Sequence, residues 1–303
     1  MEVYQSIKNI SQPTAVALGL FDGIHLGHQA VVSAAVEKKC DGLIPTVLTF
    51  SQNPKEIITG KQIPRILSKS DQEKIFSEMG VELFFRLSFP EFQNMSGEDF
   101  VKTVLFESLN AKKVFCGFNY HFGHGGKQNA HDLKKLCSAY GIEAITIPKV
   151  TCDGEVVSSS RIRSLIMKGA VSTANHLLGG RCFSFTAEVI TGNRLGRTLG
   201  TPTINQRFED GFILPKFGVY ASVLNLDGKY YVGVTNIGMK PTVGSTIPLA
   251  ETWIPDFNGD LYGKIITVKL VTFIRSEKKF KNIEDLKRAI YKDAEKAKKL
   301  LKI

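Results

Sequence analysis

The chain has 303 residues, 43% hydrophobic and 22% charged, enough apolar material for two cores and too little charge density for a disordered chain. No apolar run approaches the roughly 20 residues of a membrane span, and the start, Met1-Glu-Val-Tyr-Gln-Ser-Ile-Lys-Asn, has an early acidic residue and no apolar segment, so a cytoplasmic protein is expected. A net charge of +10, from 39 basic and 29 acidic residues, leaves a nucleic acid, an anionic membrane surface or a polyanionic small molecule as partner.

The five cysteines, Cys40, Cys116, Cys137, Cys152 and Cys182, are odd in number, scattered and without a CxxC pair, which argues for reduced thiols over a disulfide framework or zinc site. In chain order, Thr14–Leu20 reads as a strand, His28–Lys38 as a helix and Leu43–Phe50 as a strand. Ser70–Met79 reads as a helix, with Ser70 as N-cap and Glu73 completing a capping box. Leu83–Leu87, Lys113–Cys116 and Ile142–Ile147 are strand-like, and Gly97–Leu109 and Ala130–Tyr140 helical. Strands alternating with helices predict a parallel α/β sheet with helices on both faces.

After Gly180 the pattern changes. Phe183–Thr191, Gly218–Leu226, Tyr230–Ile237 and Lys264–Ile274 are rich in β-branched and aromatic residues, with turns at Asp227-Gly228 and Asn258-Gly259. They predict a small antiparallel barrel or sandwich, closed by one helix over roughly Asn282–Leu301. The lysine-rich end, Lys278–Lys302, carries Ile283, Leu286, Ile290 and Leu300 among its lysines and reads as the solvated face of that helix rather than an RNA-binding tail. A boundary near Gly179–Cys182 divides the chain into residues 1–180 and 181–303.

Between the first strand and the first helix lies Gly19-Leu-Phe-Asp-Gly-Ile-His-Leu-Gly-His28. In an open parallel sheet ligands bind beyond the carboxyl ends of the strands, and a helix N-terminus there offers N–H groups and a positive dipole end to phosphate. Gly23 and Gly27 let the backbone approach a nucleotide, and Gly19, Phe21 and Asp22 complete the string. His25 and His28, three residues apart, point the same way from one turn and can donate to an α-phosphate as charge develops. The pair could instead bind metal, with His121 or His124 as third ligand, or simply belong to a helix cap; the full string favours phosphate.

Further on, Val157-Ser-Ser-Ser-Arg-Ile-Arg163 sets three hydroxyls before two cations, and Ser159 and Arg163 suit a polyphosphate; it also serves as a plain N-cap before Ile162–Met167. Cys116-Gly-Phe-Asn-Tyr-His-Phe-Gly-His-Gly-Gly126, which contains Asn119, suits a nucleotide or flavin contact, or a surface turn with aromatic anchors. In the second half, Thr191-Gly-Asn-Arg-Leu-Gly-Arg-Thr-Leu-Gly-Thr-Pro-Thr-Ile-Asn205 lacks the ending of a Walker A loop. Its glycines, Gly196 and Gly200 among them, permit close approach to phosphates, and Arg194 and Arg197 add charge. Thr203 and Asn205 alternate along an extended stretch and offer oxygen ligands suited to Mg²⁺. The same segment serves as a barrel loop using glycine for tight turns.

Taken together, these motifs resemble the bacterial bifunctional riboflavin kinase/FAD synthetase family. Ile213-Leu-Pro-Lys-Phe-Gly-Val-Tyr220, Asn236-Ile-Gly-Met-Lys-Pro-Thr242, Glu251-Thr-Trp-Ile-Pro-Asp-Phe-Asn-Gly-Asp-Leu-Tyr-Gly263 and Phe273-Ile-Arg-Ser-Glu-Lys-Lys-Phe280 follow in that family's order, so the resemblance spans essentially the whole chain. It implies a Rossmann-like HxGH nucleotidyltransferase domain that joins AMP from ATP to FMN. It also implies a six-stranded Greek-key barrel that phosphorylates riboflavin, with ATP as co-substrate and Mg²⁺ as cofactor. By the resemblance, His25 and His28 stabilise the transferring phosphate, Ser159 and Arg163 hold the leaving pyrophosphate, Asn119 lies near the nucleotide, and Glu251 accepts the hydroxyl proton. The implied partners are riboflavin, FMN and ATP, with neither nucleic acid nor membrane.

Three stretches depart from the family's pattern. Asn53 stands where histidine is usual in Pro-His-Pro. Pro202-Thr-Ile-Asn-Gln206 puts Ile204 where alanine is usual and a polar residue after the asparagine. Trp253, the one tryptophan, follows Glu251-Thr where Glu-Val-His is common, and suits either stacking on a flavin or packing. A monofunctional adenylyltransferase with an impaired kinase module is the alternative these departures raise.

Overall fold

The computed structural model of the chain describes residues 1–191, 200–242 and 245–302. It divides into two compact units, Met1–Ile63 with Lys69–Ser158, and Pro64–Ser68 with Ser159–Ile303.

The first unit is built on β1 (Glu2–Tyr4), β2 (Thr14–Leu18), β3 (Ile44–Phe50), β4 (Leu83–Leu87), β5 (Ala111–Gly117) and, beyond a short hairpin of β6 (His121–Phe122) and β7 (Gln128–Asn129), β8 (Glu143–Ile147). The six longer-range partners form one parallel sheet in the order β1-β4-β3-β2-β5-β8. Every residue of β2 and β4 is buried, as expected of strands covered on both faces. A second hairpin, β9 (Thr151–Cys152) with β10 (Glu155–Val156), ends the unit. The helices are α1 (Leu26–Val36), α2 (Pro54–Thr59), α3 (Lys69–Glu78), α4 (Gly97–Asp99), which continues as a π-helix over Phe100–Ser108, and α5 (Ala130–Ser138). Val101, Val104 and Leu105 of the π-helix pack into one core with Val16, Phe85 and Leu133. One expectation needs correction, and one strand was not foreseen. Helix α3 begins at Lys69, so Ser70 lies in its first turn and does not cap it. Strand β1 was not predicted, since its burial is too slight to leave an apolar pattern.

In the second unit α6 (Ser159–Met167) and α7 (Val171–Leu177) precede β11 (Phe183–Glu188), β12 (Thr203–Arg207), β13 (Gly218–Leu226), β14 (Lys229–Thr242), β15 (Ser245–Trp253) and β16 (Ile265–Arg275). These strands form an antiparallel sheet in the order β11-β16-β13-β14-β15-β12. The sheet curls into a half-barrel, and its two ends meet where the Ile190 amide donates to the Asn205 carbonyl at 2.8 Å. Asp227 and Gly228 have φ of 51° and 86°, the geometry of the two-residue turn expected there between β13 and β14.

The compact second unit begins ahead of the expected boundary near Gly179 because α7 is bonded to the half-barrel. Buried Asn175 donates through Nδ2 to the Leu270 carbonyl at 2.9 Å and accepts through Oδ1 from the Phe183 amide at 2.6 Å. Helix α8 (Ile283–Leu301) is capped by Asn282, whose Oδ1 accepts from the Asp285 amide at 2.8 Å. It packs through Ile290, Ala294, Ala297 and Leu301, while Ile283 and Leu300 face solvent. Among the described residues no helix is long and apolar enough to cross a membrane.

Helix α8 is also held by charge. Arg275 of β16 reaches buried Asp293 with Nε at 3.1 and 3.0 Å and Nη2 at 2.7 Å. Removing one member leaves the other charge buried and unpaired, so Asp293→Ala should lower stability by about 3–5 kcal/mol in denaturant unfolding. Cys116 of β5 and Cys137 of α5 supply a second test. Burial pushes their thiols up from 9.0 to about 11 and about 12. The unfolded chain ionises these thiols first, so their stabilising contribution is complete below pH 9.0 and is lost as pH rises toward 12. Unfolding free energy measured across that range should fall less steeply for Cys137→Ala than for the parent chain.

Candidate functional site

The strand order of the first unit reverses at β2. The chain runs outward through β3 and β4, then returns to lay β5 on the other side of β2 and β8 beyond it. A crevice beyond the carboxyl ends of the strands at such a reversal is where open α/β sheets bind ligands. Two of the three N-terminal strings read from the sequence emerge there, Gly19–His28 after β2 and Cys116–Gly126 from the end of β5.

The first loop is tightly held. Phe21, Gly23 and Ile24 have φ of 52°, 85° and 39°, and the β-branched Ile24 is strained at such an angle. Thr49 Oγ1 donates to the Leu20 carbonyl at 3.0 Å and Gln29 Nε2 to the Ile24 carbonyl at 2.9 Å. His25, 6% exposed, is the N-cap of α1, its Nδ1 accepting from the His28 amide at 3.3 Å. A nitrogen that accepts carries no hydrogen, so the singly protonated ring holds its proton on Nε2. The rings of His25 and His28 stack with centroids 3.6 Å apart and planes 17° apart, as the three-residue spacing predicts. Gly27 permits this closeness, since a Cβ there would lie 3.2 Å from His25 Cε1.

Phe21, grouped with the phosphate-binding residues, instead turns its side chain into the core. It is 1% exposed and meets the rings of His28 and Phe76 edge-on at 5.3 and 5.7 Å. Phe21, Thr49 and Gln29 therefore position the histidines. Thr49 and Gln29 were not singled out in the sequence, because a strand threonine and a helix glutamine carry no local signal.

After β5, the Tyr120 amide donates to the Gly117 carbonyl at 3.1 Å, and His121 Nδ1 lies 3.0 Å from the Asn119 carbonyl. Phe118 and Asn119 are exposed at the end of the strand. Tyr120 stacks on Phe122 at 5.8 Å, and burial, with the Cys116 and Cys137 thiols beside it, pushes its phenol well above the usual range. Asn53 caps α2 through Oδ1, which accepts from the Lys55 amide at 3.1 Å.

Ser159 and Arg163 fall in the second unit, on α6, where Arg163 Nε donates to the Pro64 carbonyl at 2.7 Å. Gly196 and Arg197, with Arg194, lie outside the described residues; Gly200 lies within them, at a φ of 72°. On the half-barrel, Asn205 of β12 stands opposite Glu251 of β15, and Glu251 opposite Asn236 of β14. Register partners share a face, so three strands present a row of amide, carboxylate and amide, with Thr203 two residues from Asn205 on the same side. Asn236 was missed, because only the pairing of distant strands puts it beside Glu251.

The departures near this row are now accounted for. Ile204 pairs with Thr252 and points to the opposite face from Asn205, so its bulk does not enter the row. Trp253, 7% exposed, packs with Val219, Val234, Ile274 and Ala297, and meets Tyr291 of α8 edge-on at 5.2 Å. Of the two roles expected for it, packing is the one observed. Among the described residues no three His, Cys, Asp or Glu side chains gather as a metal site.

A parallel sheet with a histidine-capped helix at its strand reversal, in a chain that also carries a curled antiparallel half-barrel, defines a nucleotidyltransferase-like module and a second, β-rich module. The family model for FAD synthetase matches residues 7–161 and that for riboflavin kinase residues 179–301. A bifunctional riboflavin kinase/FMN adenylyltransferase from Listeria monocytogenes is 34% identical over 285 residues, covering 92% of this chain and 89% of the relative. One of the same description from Bacillus subtilis is 34% identical over 306 residues, covering 96% and 93%. A Streptococcus pneumoniae structure solved under the name macrolide-efflux protein superposes with a TM-score of 0.88 at 30% identity over 98% of each chain. The chain belongs to the bifunctional riboflavin kinase/FMN adenylyltransferase family.

The capping geometry is open to direct test. Imidazole nitrogen NMR should show His25 with an acceptor-type Nδ1 and a protonated Nε2. In Gly27→Ala the added methyl group displaces the ring, and that signature should weaken while the fold persists.

Proposed function

We propose that the chain makes FAD in two steps, phosphorylating riboflavin to FMN and then joining AMP from ATP to FMN with release of pyrophosphate. The observation that carries the second step is the stacked His25–His28 pair at the head of α1, where the sheet reverses. The first step rests on the row Asn205, Glu251 and Asn236.

In adenylyl transfer a phosphate oxygen of FMN attacks the α-phosphorus of ATP. The new P–O bond forms as the bond to the pyrophosphate oxygen breaks. No covalent enzyme intermediate is needed, so catalysis is positioning and charge stabilisation. In this reading His25 donates Nε2–H to an α-phosphate oxygen and His28 does the same beside it. Main-chain N–H groups of the first turn of α1 and of the Gly23–Gly27 loop receive the phosphates. Asn119 contacts the nucleotide, and Ser159 and Arg163 are taken, on the resemblance, as holders of the leaving pyrophosphate.

In the kinase step the ribityl hydroxyl oxygen attacks the γ-phosphorus, its proton passes to the Glu251 carboxylate, and ADP leaves. The hydroxyl of Thr203 and the amide oxygen of Asn205 are hard, neutral donors on one face, and fit Mg²⁺ held together with ATP phosphates. When bound, Mg²⁺ would neutralise charge on the phosphates, and Thr203 and Asn205 are the residues that would hold it. Gly196, Arg197 and Gly200 are assigned to the phosphates of the same ATP. Adenylyl transfer is assigned to residues 1–180 and phosphorylation to 181–303, with α6 and α7 preceding the kinase sequence yet packing with it. The enzyme is read as cytoplasmic, with riboflavin, FMN and ATP as its small-molecule partners.

The two steps separate by mutation. With FMN and ATP supplied, His28→Ala should lower FAD formation by about 10²–10³ and leave riboflavin phosphorylation intact. Glu251→Ala should lower riboflavin phosphorylation by about 10²–10⁴ and leave adenylyl transfer intact. Chromatography of the flavins reads both. Loss of both activities from either change in a folded protein would refute the two separate sites.

A further inference from the structure

Strand β12 carries Thr203 and Asn205, yet it lies at one end of the curled sheet. Among the described residues it pairs along its length only with β15, and on its other side a single bridge joins Asn205 to Ile190. An end strand is the one most easily shifted in register, and a shift of one residue turns every side chain to the other face. Such a slip would turn Asn205 inward and carry Ile204 or Gln206 into the row beside Glu251.

Gln206, next to Asn205, projects to the opposite face and is fully buried. Its Nε2 donates to two main-chain carbonyls, Ala187 of β11 and Ile266 of β16, each at 2.7 Å. Ala187 and Ile266 are register partners, so one amide group grips both strands of the facing pair. Oε1 has no hydrogen-bond partner among the described residues, so the grip consists of the two donations. An apolar side chain of similar length would fill the space without either bond. Because both acceptors are main-chain groups at fixed positions, the bonds hold for one register of β12 only.

We infer that Gln206 is a positioning residue for the kinase step: it locks the register of β12 and so holds Thr203 and Asn205 on the face that binds Mg²⁺ with ATP. This rests on the reading of Thr203 and Asn205 given above. The side chain touches neither substrate nor metal and acts through its neighbour in sequence. Its effect therefore belongs to metal affinity rather than to the chemical step, as for the outer partners that orient metal ligands elsewhere.

The test uses the full-length chain with Gln206→Met, which keeps the length and apolar bulk and removes both donors. Amide hydrogen exchange should quicken at residues 203–207 and at Ile190 and stay unchanged in β13 and β14. In riboflavin phosphorylation the KM for Mg²⁺ at saturating ATP should rise about 10–100-fold, with kcat changed far less. FAD formation from FMN by the same preparation should be unaltered. A lower melting temperature with unchanged Mg²⁺ dependence would overturn the inference and leave Gln206 as packing alone. Should Gln206→Met not fold, Gln206→Asn, one methylene shorter, must show the same selective rise in KM, and its absence would overturn the inference equally. Asn205→Ala separates this from the underlying reading. If that change leaves the Mg²⁺ dependence untouched, the assignment of the metal-binding face fails, and the proposed role of Gln206 fails with it, even where exchange in β12 has quickened.

Discussion

At a reversal of strand order in a parallel sheet, the connections leaving two neighbouring strands run to opposite sides and leave the ends of those strands uncovered. In this chain the two strands are β2 and β5, and the loops that follow them carry the histidine string and the Asn119 segment. The loop after β2 must turn sharply into α1, and it does so with Phe21, Gly23 and Ile24 in left-handed conformations. Each non-glycine residue held so costs about 1–3 kcal/mol. The strain persists because Thr49 and Gln29 bond the loop carbonyls and the Phe21 ring is buried against His28 and Phe76. The result is a histidine that caps a helix and thereby has its tautomer chosen by the backbone.

The half-barrel solves a different problem with one sheet. Its two faces do separate work, and the alternation of side chains along a strand keeps them apart. Inside, Ser222, Thr235 and Thr252 form a chain of buried hydroxyls with oxygens 2.7 and 2.9 Å apart, and Gln206 spans to the facing strands. Outside, Asn205, Glu251 and Asn236 line up beside the apolar patch that seats α8. Neighbouring residues of a single strand face opposite sides, so register decides which side chains stand beside Glu251.

Much of the fold was legible in the sequence where burial is continuous or turn chemistry is explicit. Leu83–Leu87 and Gly218–Leu226 coincide with the observed β4 and β13, and Asp227-Gly228 makes the turn its composition demands. Strand β15 and helices α2 and α7 went unread. Two of these elements are a single short turn or two, and Ser245–Trp253 mixes polar and apolar residues without a clean period. The histidine string was legible because its residues are contiguous. The row beside Glu251 was legible in part: Thr203 and Asn205 came from their alternation along an extended stretch and Glu251 from motif resemblance, whereas Asn236 joins them through strand pairing that no local pattern encodes. The place of α7 was hidden for the same reason, since Asn175 bonds to residues far along the chain.

The second compact unit is not one continuous stretch of chain. Pro64–Ser68 belongs to it, with Arg65 bonded through its amide and carbonyl to Gly211 and Ile213 at 2.8 and 2.9 Å and paired with Glu209 at 3.1 Å. A gene fragment that starts at Ser159 would encode the half-barrel without this piece and would leave the main-chain groups of Gly211 and Ile213, and the Nε of Arg163, without the partners they have in the whole protein. A fragment meant to carry the whole second unit therefore has to supply Pro64–Ser68 as well as Ser159–Ile303.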